Sequence, residues 1–197
     1  MLAEVPSRFA AAVMLLLLAP VAALLALVSL ISMGGPVLFR QERSGLHGQP
    51  FTMVKFRSMN DARDAEGRLL PDGQRVTAWG RFLRRSRLDE LPGLWSIVRG
   101  DMAFVGPRPL LPGTIASLGE RGRQRGQVRP GLTGWAQVNG NTLLSLDEKV
   151  ALDLDYVRNA SLGLDCRIIL RTIAVMIAGE KRTGEAAMID PPSRRLR

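Results

Sequence analysis

The stretch from Phe9 to Met33 carries no charged side chain and is dominated by Leu, Ala, Val and Ile. As a helix it extends about 37 Å at roughly 1.5 Å per residue, against a hydrocarbon core of roughly 30 Å. Three readings fit this hydropathy: a signal peptide flanked by Arg8, a simple spanning helix, and a helix that turns back to leave both ends on one side. Pro20 lies in the middle of the run, where it removes a backbone hydrogen bond and clashes with the preceding turn at about 3 kcal/mol. In lipid the freed carbonyl needs another partner, so a kinked path is one solution. Pro is also common in ordinary spanning helices, and the topology of the amino terminus stays open on these residues alone. Orientation is easier: Arg40, Arg43, Lys55 and Arg57 follow the segment closely, which places the main domain on the cytosolic side.

The full chain has 197 residues, room for one domain plus a membrane element. Its 27 basic and 18 acidic side chains give a net charge of +9. Three partners fit that balance: nucleic acid, an anionic membrane face, or phosphate-bearing substrates. The single Cys166 excludes an intramolecular disulfide and the single His47 leaves one ring for any Ser/His/Asp triad. His47 lies in a Gly-rich stretch that reads as a solvated loop, and a His/Cys zinc site is unsupported. Chemistry on this chain therefore falls to carboxylates, Arg, Lys and a hard metal ion.

Val37–Arg43 and Phe51–Met59 read as two strands of a hairpin, and residues 60–76 as an exposed polar loop. A helix is predicted from Ala78 to Arg87, with Trp79, Phe82 and Leu83 on one face and Arg81, Arg84 and Arg85 on the other. That face suits either solvent or anionic headgroups. A second helix is predicted from Asp89 to Val98. Pro92 is tolerable there in the first turn, which puts Asp89 near the N-cap and Glu90 at the first helical position. Residues 146–158 and 162–178 read as two further helices. Arg167 and Arg171 interrupt the apolar face of the last, which argues for packing or an interfacial position over a span.

Four stretches stand out: Lys55-Phe56-Arg57-Ser58-Met59, Arg87-Leu88-Asp89-Glu90-Leu91-Pro92, the run from Gly100 to Pro109, and the run from Arg129 to Gln137. Adjacent acids at a helix start are commonly a cap with dipole compensation, yet the same helix mouth offers N–H groups to a phosphate. Arg108 stands between Pro107 and Pro109 on a stiff backbone that presents its guanidinium at reduced entropic cost. Basic groups, a carboxylate pair and stiff loops together suit phosphoryl transfer with covalent catalysis.

In this order, behind a Pro-containing apolar segment, LDELPGLW, GDMAFVGPRP and RPGLTGWAQVNG resemble the bacterial sugar transferase family. More closely, the chain resembles its small monotopic phosphoglycosyl transferases, of the kind that transfers N,N'-diacetylbacillosamine 1-phosphate. The resemblance runs from about residue 5 to 179. It implies that Asp89 is a nucleophile attacking the β-phosphate of a UDP-sugar, with Glu90 its catalytic partner. UMP would leave, and a polyprenyl (undecaprenyl) phosphate would take the phosphosugar in a ping-pong sequence, the first membrane step of glycoconjugate assembly. Mg²⁺ is implied as cofactor, with Asp89 and Glu90 as its protein contacts. Pro107, Arg108 and Pro109 match a nucleotide-binding loop. Lys55, Arg84, Arg87 and Arg129 are candidate phosphate ligands, and Asp153 occupies another functional position of the family. The first segment would be a re-entrant helix broken at Pro20, although Ala19 stands where the family usually has Ser. Small relatives commonly use N-acetylated hexosamine donors, with an unmodified hexose as the second choice.

The resulting expectation is a mostly helical α+β protein of the bacterial cytoplasmic membrane. It comprises a re-entrant membrane helix (1–35), a compact cytosol-facing catalytic domain with a small hairpin and amphipathic interfacial helices (36–179), and a disordered tail (180–197). Its partners would be the UDP-sugar, the polyprenyl phosphate and anionic phospholipid. The competing classes are a membrane-tethered nucleic-acid binder and a nonenzymatic scaffold. No nucleic-acid motif is present and few aromatics are available for stacking.

Overall fold

A computed structural model describes residues 4–183. Helix α1 (Glu4–Met33) continues through Pro20, and its 5–33 stretch, with a mean hydropathy of 2.8 in its most apolar window, is long and apolar enough to cross a membrane. Leu16, Leu17, Leu24 and Ile31 on its outer side are exposed. One stripe turns inward: Ala11, Leu15, Leu18, Ala22, Leu25, Ser29 and Met33, at spacings of three or four. Ala11, Leu15 and Leu18 pack with Phe51, Leu94 and Ile97, while Ala22 and Leu25 pack with Phe56 and Leu83. Both ends are tied to the same body. Arg8 donates to the carbonyls of Val98 and Arg99 at 2.9 and 2.7 Å. At the other end, Arg57 donates to those of Met33 and Gly34 at 2.6 and 2.7 Å.

Strands β1 (Leu38–Ser44) and β2 (Pro50–Phe56) form the expected antiparallel hairpin, in register from Leu38 opposite Phe56 to Ser44 opposite Pro50. β2 is shorter than predicted: Met59 lies beyond it, in an isolated bridge to Val76. His47 is exposed in the connecting turn, as expected of a loop residue. Residues 60–76 are mostly exposed and include the short α2 (Asp72–Arg75). Helix α3 (Ala78–Arg85) is capped by Thr77, whose side chain accepts from the Gly80 N–H.

The next segment departs from expectation. Asp89 is not an N-cap and Glu90 does not begin an α-helix. Arg87 adopts a left-handed φ of 59°, a 3-10 turn spans Leu88–Gly93, and α4 (Leu94–Arg99) starts only after it. Pro92 lacks the N–H that a longer α-helix would need there, and the tighter turn accommodates it.

Strand β3 (Ala103–Val105) pairs in parallel with β4 (Gly131–Thr133), a pair absent from the sequence reading. Gly106 and Gly131 follow from this crossing. A Cβ on Gly106 would lie 2.3 Å from the Arg129 carbonyl oxygen, and one on Gly131 would lie 2.1 Å from the Gly106 nitrogen. The crossing thereby fixes the Gly106–Pro109 loop against the Arg129–Gly131 loop.

Helices α5 (Pro112–Ser117) and α6 (Glu120–Arg125) lead into that second loop. Helix α7 (Trp135–Val138) follows it, then α8 (Leu146–Asn159), which opens with a Ser145–Glu148 capping box, and α9 (Leu162–Ala178). Trp135, Leu152, Tyr156 and Ile168 bury the contact among these three. Arg167 and Arg171 of α9 stand over the Trp135 ring at 5.4 and 5.1 Å, while Leu170, Ile173 and Ile177 face outward. Both arginines therefore turn toward the protein, and the outer face is apolar. Of the segment predicted as a tail, residues 180–183 pack back on the body through Glu180, Arg182 and Thr183. Residues 184–197 lie outside the described residues.

Candidate active site

A cavity of about 620 Å³ opens between the hairpin, α3, the 3-10 turn and the Arg108 loop. It gathers six of the residues predicted for the site: Lys55, Arg84, Arg87, Asp89, Glu90 and Arg108. The carboxylates stand on the 3-10 turn and Lys55 near the end of β2, which packs against it. Arg84 comes from the last turn of α3, where its Nε donates to Ser58 Oγ at 2.9 Å.

Glu90 is the electrostatic centre. Its Oε1 accepts from Lys55 Nζ and from Arg108 Nη2, each at 2.7 Å. Burial pushes its carboxyl upward, but the Arg108 and Lys55 charges with their hydrogen bonds outweigh burial and hold it down at about 2. Asp89 is moved the other way. Burial, then the neighbouring Glu90 charge, raise it above the usual carboxylate range against the pull of Lys55, Arg108 and Arg84. Its carboxylate accepts no hydrogen bond among the described residues, and it lines the cavity. Lys55 is lowered by burial and by Arg108 despite the Glu90 charge. Two adjacent carboxyl groups whose affinities for protons are driven apart are suited to different tasks. Glu90 is an ionised anchor for two cations. Asp89 is an uncommitted oxygen pair beside them.

Four predicted residues lie outside the cavity wall. Pro107 and Pro109 are buried behind Arg108, where the Pro107 carbonyl accepts from the Gly131 N–H at 3.0 Å and the Pro109 carbonyl from Arg43 at 3.3 Å. They stiffen the loop and leave Arg108 alone to reach the ligand space. Arg129 does not reach the cavity either: its Nε donates to the Gly100 carbonyl at 2.8 Å, joining the two crossing loops. Asp153 is buried on α8, with its Oδ2 2.7 Å from Arg125 Nε. Arg125 also donates to the backbone carbonyl of Arg108. Asp153 is thus linked to the Arg108 loop through Arg125. Pro20, expected to break the first helix, instead lies inside α1, which runs without interruption from Glu4 to Met33.

The sequence reading passed over Arg125, Ser58, Asn141, Thr142 and Glu180. Ser58 and Arg57 stand beside Lys55 in a stretch already singled out, so adjacency could have found them. Nothing local marks Arg125 or Glu180, whose partners are 28 and 93 residues away.

Among the described residues no group of three or more His, Cys, Asp or Glu side chains could cage a metal ion. Mg²⁺ is commonly held by one or two carboxylates together with substrate phosphates and water. Asp89 fits that manner of binding, because its oxygens are uncommitted. Glu90 fits it less directly, since Oε1 already serves two cations.

The fold is a mostly helical α+β one, with a helix long and apolar enough to cross a membrane and a basic cavity centred on two carboxylates. The model of the family described as "Bacterial sugar transferase" matches residues 2–179, and the chain belongs to that family. It is 46% identical over 150 residues to an uncharacterized sugar transferase, EpsL, of Bacillus subtilis, covering 76% of this chain and 74% of that protein. It is 44% identical to a UDP-glucose:undecaprenyl-phosphate glucose-1-phosphate transferase of Xanthomonas campestris, covering 77% of this chain but 33% of that protein. A Caulobacter vibrioides protein of the same name is 40% identical, with coverage of 85% and 67%. The chain thus spans about a third of the Xanthomonas relative and most of the other two.

Proposed function

We propose that this protein transfers a sugar 1-phosphate from a UDP-sugar to a polyprenyl phosphate at the cytosolic face of the bacterial membrane, through a covalent intermediate on Asp89. An Asp89 oxygen attacks the β-phosphorus, the bond from that phosphorus to the bridging oxygen breaks, and UMP leaves. An oxygen of the polyprenyl phosphate then attacks the same phosphorus and releases the Asp89 carboxylate, giving a polyprenyl diphosphosugar. Lys55, Arg84 and Arg108 balance phosphate charge while Glu90 keeps Lys55 and Arg108 aimed into the cavity. Mg²⁺, when bound with the diphosphate at Asp89, would neutralise charge on the departing nucleotide.

The observation that carries this reading is the pairing of an ionised, doubly anchored Glu90 with an uncommitted Asp89 in one cavity. An apolar groove of about 350 Å³ lies next to it, lined by Leu15, Leu18 and Ala22 of α1 with Leu91 and Pro92, and Phe56 walls both spaces. That arrangement suits an acceptor with a hydrocarbon tail and a phosphate head. The concave placing of Lys55, Arg84, Arg87 and Arg108 favours a small phosphate ligand over an extended nucleic acid.

The attachment of both ends of α1 to a single body supports a helix that keeps both ends on the domain's side of the membrane. A spanning helix would carry one of those ends across the bilayer, away from the domain. The relatives' names make UDP-glucose the first donor to try, ahead of N-acetylated hexosamine donors. Release of UMP from a panel of UDP-sugars, dependent on undecaprenyl phosphate for multiple turnovers, tests the activity. Failure across the whole panel would reject it.

A further inference from the structure

Within the cavity, one anionic group of the chain occupies a set of donors that the transfer steps above leave unused. Glu180 follows α9 at the Gly179 turn and lines the same cavity as Asp89. Its Oε1 accepts from Arg87 Nη2 at 2.7 Å and from Asn141 Nδ2 at 2.6 Å. Its Oε2 accepts from the Thr142 backbone N–H at 3.2 Å and from the Thr142 hydroxyl. Burial alone would raise this carboxyl, but the Thr142 and Asn141 hydrogen bonds and the Arg87 charge lower it, so it sits there ionised. Two of the donor residues, Arg87 and Asn141, have left-handed backbones at φ 59° and 41°. The Glu180 charge also acts on Arg108, which places this cluster within electrostatic reach of the Glu90 centre.

A phosphate presents the same pair of anionic acceptor oxygens as a carboxylate, with greater charge. Lys55, Arg108 and Arg84 are held by Glu90 and Ser58, both close to the centre in the fold. Among the described residues, Arg87 alone of the cavity cations is held by a residue beyond the last helix. Gly179, at φ 84° with open space where a Cβ would stand, gives that residue a pivot.

We propose that Arg87, Asn141 and Thr142 form a second phosphate subsite in the catalytic cavity, which Glu180 fills until a substrate phosphate displaces it. This rests on the transferase reading of the cavity and adds a second anion position to it. The donor diphosphate and the acceptor phosphate are both of the required chemistry. Self-occupancy lowers apparent affinity by the fraction of molecules in which the subsite is vacant. Removing the Glu180 charge therefore tightens binding.

The test is direct titration of the full chain in detergent or nanodiscs with UDP, common to every UDP-sugar, and separately with undecaprenyl phosphate. Glu180→Gln is expected to bind one of them several-fold more tightly than the parent. Tightening of UDP assigns the subsite to the donor, and tightening of undecaprenyl phosphate assigns it to the acceptor. Adding Thr142→Val should cancel the gain, because it removes a donor that the ligand would inherit. Asp72→Asn removes a negative charge from the same cavity without releasing any of these donors, and should have a smaller effect. Unchanged or weaker binding of both ligands by Glu180→Gln, or equal tightening by Asp72→Asn, overturns the proposal. If the parent protein turns over a donor while Glu180→Gln gains nothing, the subsite alone is rejected. If the parent binds neither ligand, the transferase reading fails with it.

Discussion

Glu90 presents one oxygen, Oε1, to Lys55 Nζ at 2.7 Å, joining the turn that carries both carboxylates to the last part of strand β2. Arg108 meets that same oxygen from the opposite loop. The anchor fixes which carboxylate is ionised and occupied, and which is left for the ligand.

Replacing Asp89 with Asn should abolish turnover, by on the order of 10⁴-fold or more, because an amide cannot serve as the nucleophile. The same change removes a buried carboxyl whose raised proton affinity costs the fold stability at neutral pH. The variant should therefore melt no lower than the parent. Rates are read from UMP release and stability from a thermal melt in the same detergent.

Glu90→Gln leaves Lys55 and Arg108 without their shared anion. Breaking a buried ion pair from one side typically costs about 3–5 kcal/mol, so both melting temperature and turnover should drop. The acid limb distinguishes this variant further. With its carboxyl held at about 2 against an ordinary 4.5, Glu90 contributes stability that is present above the ordinary value and lost as pH falls toward 2. The contribution is about 3 kcal/mol, and denaturant melts of Glu90→Gln across that window should lack it.

Asp89 must be ionised to attack, and burial with the Glu90 charge raises it. Activity should accordingly fall on acidification at a pH above that of an ordinary aspartate. A pH profile of the first turnover, measured before the acceptor is added, checks this. In that profile the limb should move further down when the Glu90 charge is removed.

Asp153→Asn should strip Arg125 of its buried counter-ion and loosen the backbone of Arg108, since Arg125 donates to both. Half-saturation by the donor should rise more than turnover falls. A double variant in which Arg125 becomes Met and Asp153 becomes Leu should recover stability, because a well-packed apolar pair can replace a buried ion pair. It should not recover donor affinity. Equal recovery of both would reduce Asp153 and Arg125 to packing.

The membrane path can be read by labelling. With Cys166 changed to Ser, single cysteines placed at Val5 and at Gly35 should both react only from the cytosolic side of sealed vesicles. Their neighbours Arg8 and Arg57 each hold an end of α1 to the same domain. Labelling of Val5 from the opposite side would indicate a span.

The long, periodic elements were legible in the sequence. The apolar run gave α1, the runs 146–158 and 162–178 gave α8 and α9, and the two β-rich runs gave the hairpin. Six of the residues that line the cavity were also legible, because short stretches of contrasting chemistry carry them. The β3–β4 pair was not: three-residue strands lack a readable period, and their pairing is long-range. Pro92 was read as a first-turn residue of an α-helix, when the preceding left-handed Arg87 directs the chain into a tighter turn. Asp153 and Arg129 looked like ligands because charge is visible in a sequence and burial partners are not. Arg125 and Gly100 answer them from across the fold. Glu180 was assigned to a polar tail for the same reason.

The most direct test is intact-protein and peptide mass spectrometry after incubation with the consumed donor and no acceptor. The expected result is one phosphosugar per chain on the peptide bearing Asp89, formed with one equivalent of UMP and discharged by undecaprenyl phosphate. Donor consumption at full rate with no adduct at Asp89, under conditions that preserve acyl phosphates, would contradict the account.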